Sequence, residues 1–240
     1  GRFESRHVAN TFLAFAKVNQ CAEDPKFWFK LKTLTKSAVL KNMNAHELSM
    51  VMVGVSLVNE SNGEVGGEDD EEEDKELAYE VCRFFTKTIA SYTDDTNNET
   101  DDDETGKVGL IANVLWALAK LPQLLGEIAK KQEKVFINEI LRVLEQSNGI
   151  ANMNGRQAST ILWSLAKIGD VVGFEDTGIK STFEHFSRTH FCDARSSLFF
   201  KTKTDARSFS MILWAFSNGV PDVATNERAK DVFESAHKDL

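Results

Sequence analysis

The stretch NVLWALAKL, from Asn113 to Leu121, decides the fold because close copies of it recur in the same chain. It returns as TILWSLAKIG at Thr160–Gly169 and as MILWAFSNG at Met211–Gly219. A phrase that repeats within one chain indicates a repeated structural unit. Alignment of the copies gives one shared reference position, which is occupied by Trp116, Trp163 and Trp214.

Two weaker copies fit the same frame. HVANTFLAFAKV places Leu13 at the reference position, and ELSMVMVGVSLV places Val53 there. The five reference positions are then 40, 63, 47 and 51 residues apart. A unit of about 40 residues with insertions accounts for all four spacings. We therefore predict one repeat domain over residues 1–240, with units at 5–43, 44–107, 108–153, 154–203 and 204–240.

Each unit is predicted to contain two helices. The phrase lacks proline and has helical periodicity, and Gly169 is predicted to end one copy. A second amphipathic segment follows, with apolar residues at helical intervals. These are Phe27, Leu31 and Leu34 in the first unit, Leu77, Val81, Phe85 and Ile89 in the second, and Phe136, Ile140, Leu141 and Leu144 in the third. No strand-like alternation is present. We predict an all-α fold, an α-solenoid of about five stacked helical hairpins, rather than a bundle of the four-helix type.

The bulk composition is that of an ordinary globular protein. Hydrophobic residues make up 42% of the chain and charged residues 27%, and no apolar run reaches membrane-spanning length. The three cysteines, Cys21, Cys82 and Cys192, are an odd and sparse set. They argue against a disulfide framework and for a reducing compartment.

The net charge of −9 is distributed unevenly. Residues 60–74 contain nine acids and no base, and residues 94–104 contain seven acids and no base. By composition, the inserts at 60–74 and 94–106 are predicted to be two disordered acidic loops. Without these sixteen acids, the chain has 21 acidic and 28 basic residues, a net charge of +7. The acidic isoelectric point therefore does not exclude a polyanionic partner.

Three faces of the repeated helix are prescribed by packing. With the reference position at 0° and about 100° per residue, the large apolar residues fall between 140° and 260° and form the core face. Examples are Val114, Leu115, Leu118, Ile161, Leu162 and Leu165. The two flanks carry small residues, which allow equivalent helices to lie close together. They include Ala112, Ala117, Ala119, Ser159, Ser164 and Ala166.

The fourth face, between 0° and 60°, also repeats, although stacking alone does not require this. Cations predicted to contact phosphate lie four residues after or seven before the reference position: Arg6, Lys17, Lys120, Arg156, Lys167 and Arg207. Residues predicted to face bases are Asn10, Asn113, Thr160, Trp116, Trp163 and Trp214. Single-stranded RNA is bound by this combination of cations, amides and planar rings.

A structural interpretation of the same residues stays open. Tryptophan is mostly buried, so each indole either packs between repeats or stacks on a base. The lysines lie near a helix C-terminus, where the helix dipole favours them with or without a ligand. The arginines lie near a helix start, where the dipole does not favour them. They are therefore the more informative cations.

The phrases ANVLWALAKL and ASTILWSLAKIG resemble the helical repeats of octotricopeptide-type proteins. They also resemble the repeats that precede FAST-kinase-like and RAP domains. The resemblance covers most of the chain and is clearest in three units, although the proline-rich signature of octotricopeptide repeats and a RAP domain are both absent. It implies an RNA-binding helical-repeat protein of mitochondria or plastids, acting in transcript processing, stability or translation. No targeting segment is visible, and a cytoplasmic location is the alternative.

Signals for other chemistry are weak. His185, His190 and Cys192 lie close in sequence, but a zinc site needs a fourth ligand and a recognisable spacing. No nucleophile elbow, catalytic dyad or kinase signature appears. We therefore expect no enzyme activity, cofactor, metal, membrane partner or small-molecule substrate. The alternative function is a protein–protein interaction scaffold of armadillo or tetratricopeptide type, which would bind a peptide in its groove.

Overall fold

The computed structural model describes residues 4–18, 25–35, 37–61, 68–91, 101–122, 134–146, 149–174, 177–191 and 204–219. The helices in these ranges are α1 (Ser5–Lys17), α2 (Pro25–Leu34), α3 (Ser37–Leu40), α4 (Ala45–Ser61), α5 (Glu68–Ser91), α6 (Asp101–Ala119), α7 (Lys134–Gln146), α8 (Gly149–Asn152), α9 (Gly155–Val172), α10 (Ile179–Phe191) and α11 (Ala206–Gly219). The described residues contain no strand, which confirms the predicted all-α class.

Five of these helices, α1, α4, α6, α9 and α11, carry the repeated phrase and are called the phrase helices. Each contains one reference position. They contact one another in chain order, α1 with α4, α4 with α6, α6 with α9, and α9 with α11. Among the other helices, α5 contacts α7 and α7 contacts α10. The core face predicted for the phrase is buried, as Leu115, Leu118 and Leu165 show with 0% exposure.

The flanks of the phrase helices show which neighbour each one faces. The residue after the reference position is buried in α4, α6, α9 and α11, but its equivalent in α1, Ala14, is exposed. The opposite flank is buried in α1 at Ala9 and Ala16, whereas in α11 the equivalents Ser210 and Ser217 are exposed. One flank therefore faces the preceding phrase helix and the other faces the following one. The small residues predicted at these positions are the contact surfaces between neighbouring phrase helices.

One close contact of this kind is made by Gly54 of α4. A Cβ at this position would lie 2.6 Å from Cδ1 of Phe12 in α1. Phe12 is fully buried, and its ring centroid lies 4.6 Å from that of Trp28 in α2. Because the ring is held on both sides, it has little freedom to move away. Gly54 thus sets the distance between α1 and α4.

Substitution of Gly54 by alanine should lower the free energy of unfolding by about 1–2 kcal/mol. Overpacking costs about 1–3 kcal/mol, against which alanine regains about 0.5–1 kcal/mol of helix propensity. The matched control is Gly106→Ala in α6, where a Cβ would meet nothing within 4 Å. That variant should gain about 0.5–1 kcal/mol from propensity alone. Urea unfolding followed by circular dichroism measures both, and equal stabilisation of the two variants would contradict the close contact.

Four of the phrase helices begin eight residues before the reference position, and each follows a capping residue. Asn44 and Glu47 exchange hydrogen bonds between backbone N–H and side-chain oxygen at 3.1 and 2.9 Å. Asn154 and Gln157 do the same, both at 3.0 Å. Such capping boxes satisfy backbone N–H groups that the helix itself cannot pair. The cap recurs at the same repeat position, so it belongs to the unit.

The helix α6 departs from this pattern. The cap position is occupied there by Lys107, and the helix begins earlier, at Asp101. The predicted unit boundary at 107/108 therefore falls inside α6 rather than in a loop. The sequence DDDE at 101–104 is compatible with this earlier start, because acidic residues are favoured in the first turn of a helix.

The disordered acidic loops predicted at 60–74 and 94–106 are not confirmed. Residues 60–61 end α4, residues 68–74 begin α5, and residues 101–106 begin α6. Residues 62–67 and 92–100 lie outside the described part of the chain. Composition predicted disorder here because acidic runs bury little apolar area, but acidic residues are favoured in the first turn of a helix.

Two local predictions were wrong. The helix α9 continues through Gly169 and ends at Val172, and the residue that follows it, Gly173, has a φ of 86°. Gly169 is instead buried against the ring of Phe174, which a Cβ would meet at 2.1 Å. In α2, the residues at the predicted core positions Phe27 and Leu34 are exposed by 37% and 56%. The buried face of this helix carries Trp28 because that indole packs on Phe12.

Candidate nucleic-acid interface

The fourth face of the phrase helices is accessible to solvent, as its polar character predicted. Six of its twelve predicted site residues are exposed: Arg6, Asn10, Lys17, Asn113, Arg156 and Arg207. The other six are partly buried: Trp116, Lys120, Thr160, Trp163, Lys167 and Trp214. The structure therefore brings the indoles to a position between core and solvent. Trp116 and Trp214 pack against the core on one side.

Three indoles and two lysines form a continuous row across α6, α9 and α11, which we call the indole–lysine row. Its members are Trp116, Lys120, Trp163, Lys167 and Trp214. Nζ of Lys120 lies 5.6 Å from the ring centroid of Trp116 and 6.0 Å from that of Trp163 on the next helix. Nζ of Lys167 lies 4.7 Å from the ring centroid of Trp214, again on the next helix. Each lysine thus links its own helix to the one that follows.

The indoles also contact each other at one end of the row. The ring centroids of Trp163 and Trp214 are 6.4 Å apart, with planes inclined at 40°. This is the tilted arrangement that aromatic pairs adopt in direct contact. A planar group therefore has no layer to enter between these two rings.

The lysine contacts are individually weak. A cation–π contact at an exposed site contributes about 0.5–1 kcal/mol, and the attraction falls off beyond about 6 Å from the ring centroid. Lys120 is near this limit for both of its rings. The row is therefore a set of small, repeated stabilising contacts rather than a rigid lock.

The arginines form a second row, at the N-terminal edge of the same face. Arg6, Arg156 and Arg207 are exposed, and His46 occupies the equivalent position in α4. Carboxylates lie near this edge because some of them cap the helices, as Glu47 and Asp205 do. The backbone N–H of Ser208 donates to Asp205 at 2.8 Å, and this hydrogen bond holds the pKa of Asp205 below its ordinary value. The positive charge at this edge is thus partly offset in α11.

The face is interrupted at two places. In α6 the position of the arginine row is occupied by Gly109 rather than a cation. In α4 the face carries the apolar side chains of Met50, Val53 and Leu57, all partly buried. Four of the six cations therefore lie on the neighbouring helices α6, α9 and α11, and the other two lie on α1, on the far side of the apolar α4.

The hydroxyl of Thr160 is already engaged. It donates to the backbone carbonyl of Arg156 at 2.9 Å, one turn earlier in the same helix. In this rotamer the side chain can offer an approaching base only an acceptor.

Metal and membrane chemistry find no support among the described residues. Nowhere in those ranges do three or more His, Cys, Asp or Glu side chains come close enough to hold a metal ion. The ring of His190 is buried, with Nε2 2.6 Å from the carbonyl oxygen of Ile150, and Cys192 lies outside the described residues. No helix in the described residues has the length and apolar character needed to cross a bilayer.

Two features of this surface were not predicted from the sequence. The recurring caps could have been found from N-x-x-E at Asn44 and N-x-x-Q at Asn154. The contact of each lysine with the next indole could not, because it depends on the spacing and rotation of neighbouring helices.

Comparison with protein-family models, with curated proteins and with solved structures found no match to this chain.

Proposed function

We propose that this chain is an α-solenoid of stacked helical hairpins that binds single-stranded RNA across the fourth face of its phrase helices. The observation that carries the proposal is the indole–lysine row, which continues over three helices and is bordered by exposed arginines at Arg156 and Arg207. Packing requires the core face and the flanks to repeat, but it does not require cations and rings to repeat on the accessible face.

The chemistry of the row suits RNA on two counts. Each cation that neutralises a phosphate of a single strand contributes about 0.7 to the slope of log affinity against log salt. Each base that stacks on an aromatic ring contributes about 1–3 kcal/mol. Both groups are presented repeatedly, at the spacing of neighbouring helices. The resemblance to organellar repeat proteins extends the proposal to transcript processing, stability or translation in mitochondria or plastids.

The second candidate is a scaffold that binds a peptide on the same face. It is favoured by α4, where Met50, Val53 and Leu57 stand at the positions that Asn113, Trp116 and Lys120 occupy in α6. With Leu13 of α1, these residues give the N-terminal part of the face an apolar character. A peptide with apolar side chains would use this part, whereas RNA would use the cations of α1, α6, α9 and α11.

Titration of the protein with a mixed-sequence single-stranded RNA pool at several salt concentrations tests the proposal. We expect binding with a log–log salt slope of about −4 if all six cations neutralise phosphates. Absence of binding at low salt would reject the RNA proposal and favour the scaffold. A slope near zero would reject the phosphate contacts even if the RNA bound.

A further inference from the structure

In the indole–lysine row, the lysine ammonium groups are in cation–π contact with the indole rings. Lys120 lies over Trp116 and Trp163, and Lys167 lies over Trp214. The ammonium groups are therefore placed where an RNA base would stack. At the same time they are drawn towards the rings, away from where a phosphate would be bound. In the free protein, neither group is presented in the form that RNA binding uses.

Both the lysine and the indole of such a contact would form a stronger interaction with a nucleic acid than with each other. A lysine that moves from a ring to a phosphate replaces a weak cation–π attraction with a charge-assisted hydrogen bond. A ring that exchanges the ammonium for a base gains stacking, which is worth more than an exposed cation–π contact. The contacts of Lys120 with its two rings are long, at 5.6 and 6.0 Å, so each contributes little.

We propose that the indole–lysine row is an exchange site for unpaired nucleotides. On binding, Lys120 and Lys167 leave the rings for phosphates, and the uncovered faces of the indoles take bases. The inference rests on the proposed RNA binding. It adds that the ligand is a strand with unpaired bases. A single strand satisfies both partners, a base-free polyanion satisfies only the lysines, and a duplex keeps its base faces stacked and unavailable.

The direct contact between Trp163 and Trp214 limits where bases can enter. Since these rings are 6.4 Å apart, a base does not enter between them unless they separate. The faces beneath the lysine ammonium groups are therefore the ones that become available. The lysines must therefore leave the rings before bases can stack on them.

The test compares single-stranded RNA with inorganic polyphosphate of similar charge, following tryptophan fluorescence of the whole chain. A Trp28→Phe background removes the buried fourth tryptophan, which is 5% exposed. We expect both polyanions to bind, and RNA to quench the fluorescence several times more strongly at saturation. An equal change with both would overturn the exchange, because bases would then not reach the indoles.

The variant Lys120→Met/Lys167→Met supplies the second measurement, since methionine keeps a long apolar side chain without the charge. Its RNA salt slope should be less steep by about 1.4, and quenching by RNA should persist because the indoles remain. An unchanged slope would overturn the movement of the lysines to phosphates. If this variant does not fold, the comparison of RNA with polyphosphate still tests the exchange, because that experiment leaves both lysines in place.

The two proposals fail in different ways. If RNA does not bind at low salt, RNA binding itself is rejected and the exchange with it. If RNA binds with a steep salt slope but quenches no more than polyphosphate, only the exchange is rejected. The row would then be a brace between phrase helices that presents lysines to phosphate.

Discussion

Replacement of Lys120, Arg156, Lys167 and Arg207 by alanine in one protein should weaken binding of single-stranded RNA on the order of 100-fold at about 0.1 M salt. These four cations lie on three neighbouring phrase helices, where the proposed interface is most continuous. Each lost phosphate contact should reduce the log–log salt slope by about 0.7, so the slope should become less steep by about 2.8. Filter binding at several salt concentrations measures both quantities.

The matched control removes two lysines and two arginines elsewhere. Lys30, Arg83, Lys87 and Arg188 are exposed and lie on α2, α5 and α10, outside the phrase helices. Their replacement by alanine changes the net charge by the same amount. If both variants lost affinity equally, binding would follow net charge and the proposed face would have no special role.

Gly109→Arg tests the same surface in the opposite direction. Four of the phrase helices carry Arg or His at this repeat position, and only α6 carries glycine. A Cβ there would be 3.6 Å from Nε2 of Gln157, an ordinary contact, so a side chain can begin at this position without a backbone clash. We expect tighter binding and a slope steeper by about 0.7. Unchanged affinity would mean that RNA does not pass this position of α6.

Substitution of Lys32 by alanine should lower the free energy of unfolding by roughly 3 kcal/mol. Nζ of Lys32 in α2 is 3.1 Å from Oδ1 of Asp74 in α5, and the side chains are only 5% and 14% exposed. Removal of one charge from a buried pair leaves the other ion poorly solvated. We expect the lower end of the usual 3–5 kcal/mol range because Asp74 retains some contact with water.

The exposed pair of Arg83 and Glu80 is the matched control. Its atoms are also 3.1 Å apart, but Arg83 is 49% exposed. Arg83→Ala should cost less than about 1 kcal/mol, because solvent screens an exposed pair. The double variant Lys32→Met/Asp74→Leu should unfold at a urea concentration equal to or higher than that of the original chain, since an apolar pair avoids the desolvation cost. Equal losses for Lys32→Ala and Arg83→Ala in urea unfolding would contradict the role of burial.

Sequence alone predicted the helical state of the phrase and the orientation of its core face correctly, although α6 begins earlier and α9 ends later than predicted. This was possible because the pattern of the phrase is local and is repeated five times, so random variation in any one copy is averaged out. Leu115, Leu165 and the small flanking residues were assigned correctly for this reason. The four equivalent caps were also within reach of the sequence, since a cap and its partner are three residues apart.

The second helices were less predictable. In α2, Phe27, Trp28, Phe29, Leu31 and Leu34 permit more than one apolar face with helical periodicity. Packing of Trp28 on Phe12 selects one of these faces and leaves Phe29 and Leu34 exposed. The acidic starts of α5 and α6 show the same limitation. Composition shows that a segment is acidic and polar, but it does not show whether the segment begins a helix.

The sequence by itself determined the all-α class, the repeat and the chemical character of the accessible face, because these follow from periodicity along the chain. Only the tertiary structure decided that Lys120 lies over Trp163, that Lys167 lies over Trp214, and that Lys32 meets Asp74. These partners are more than 40 residues apart in sequence. Their contacts depend on the spacing and rotation of packed helices, which are set by the side chains buried between them.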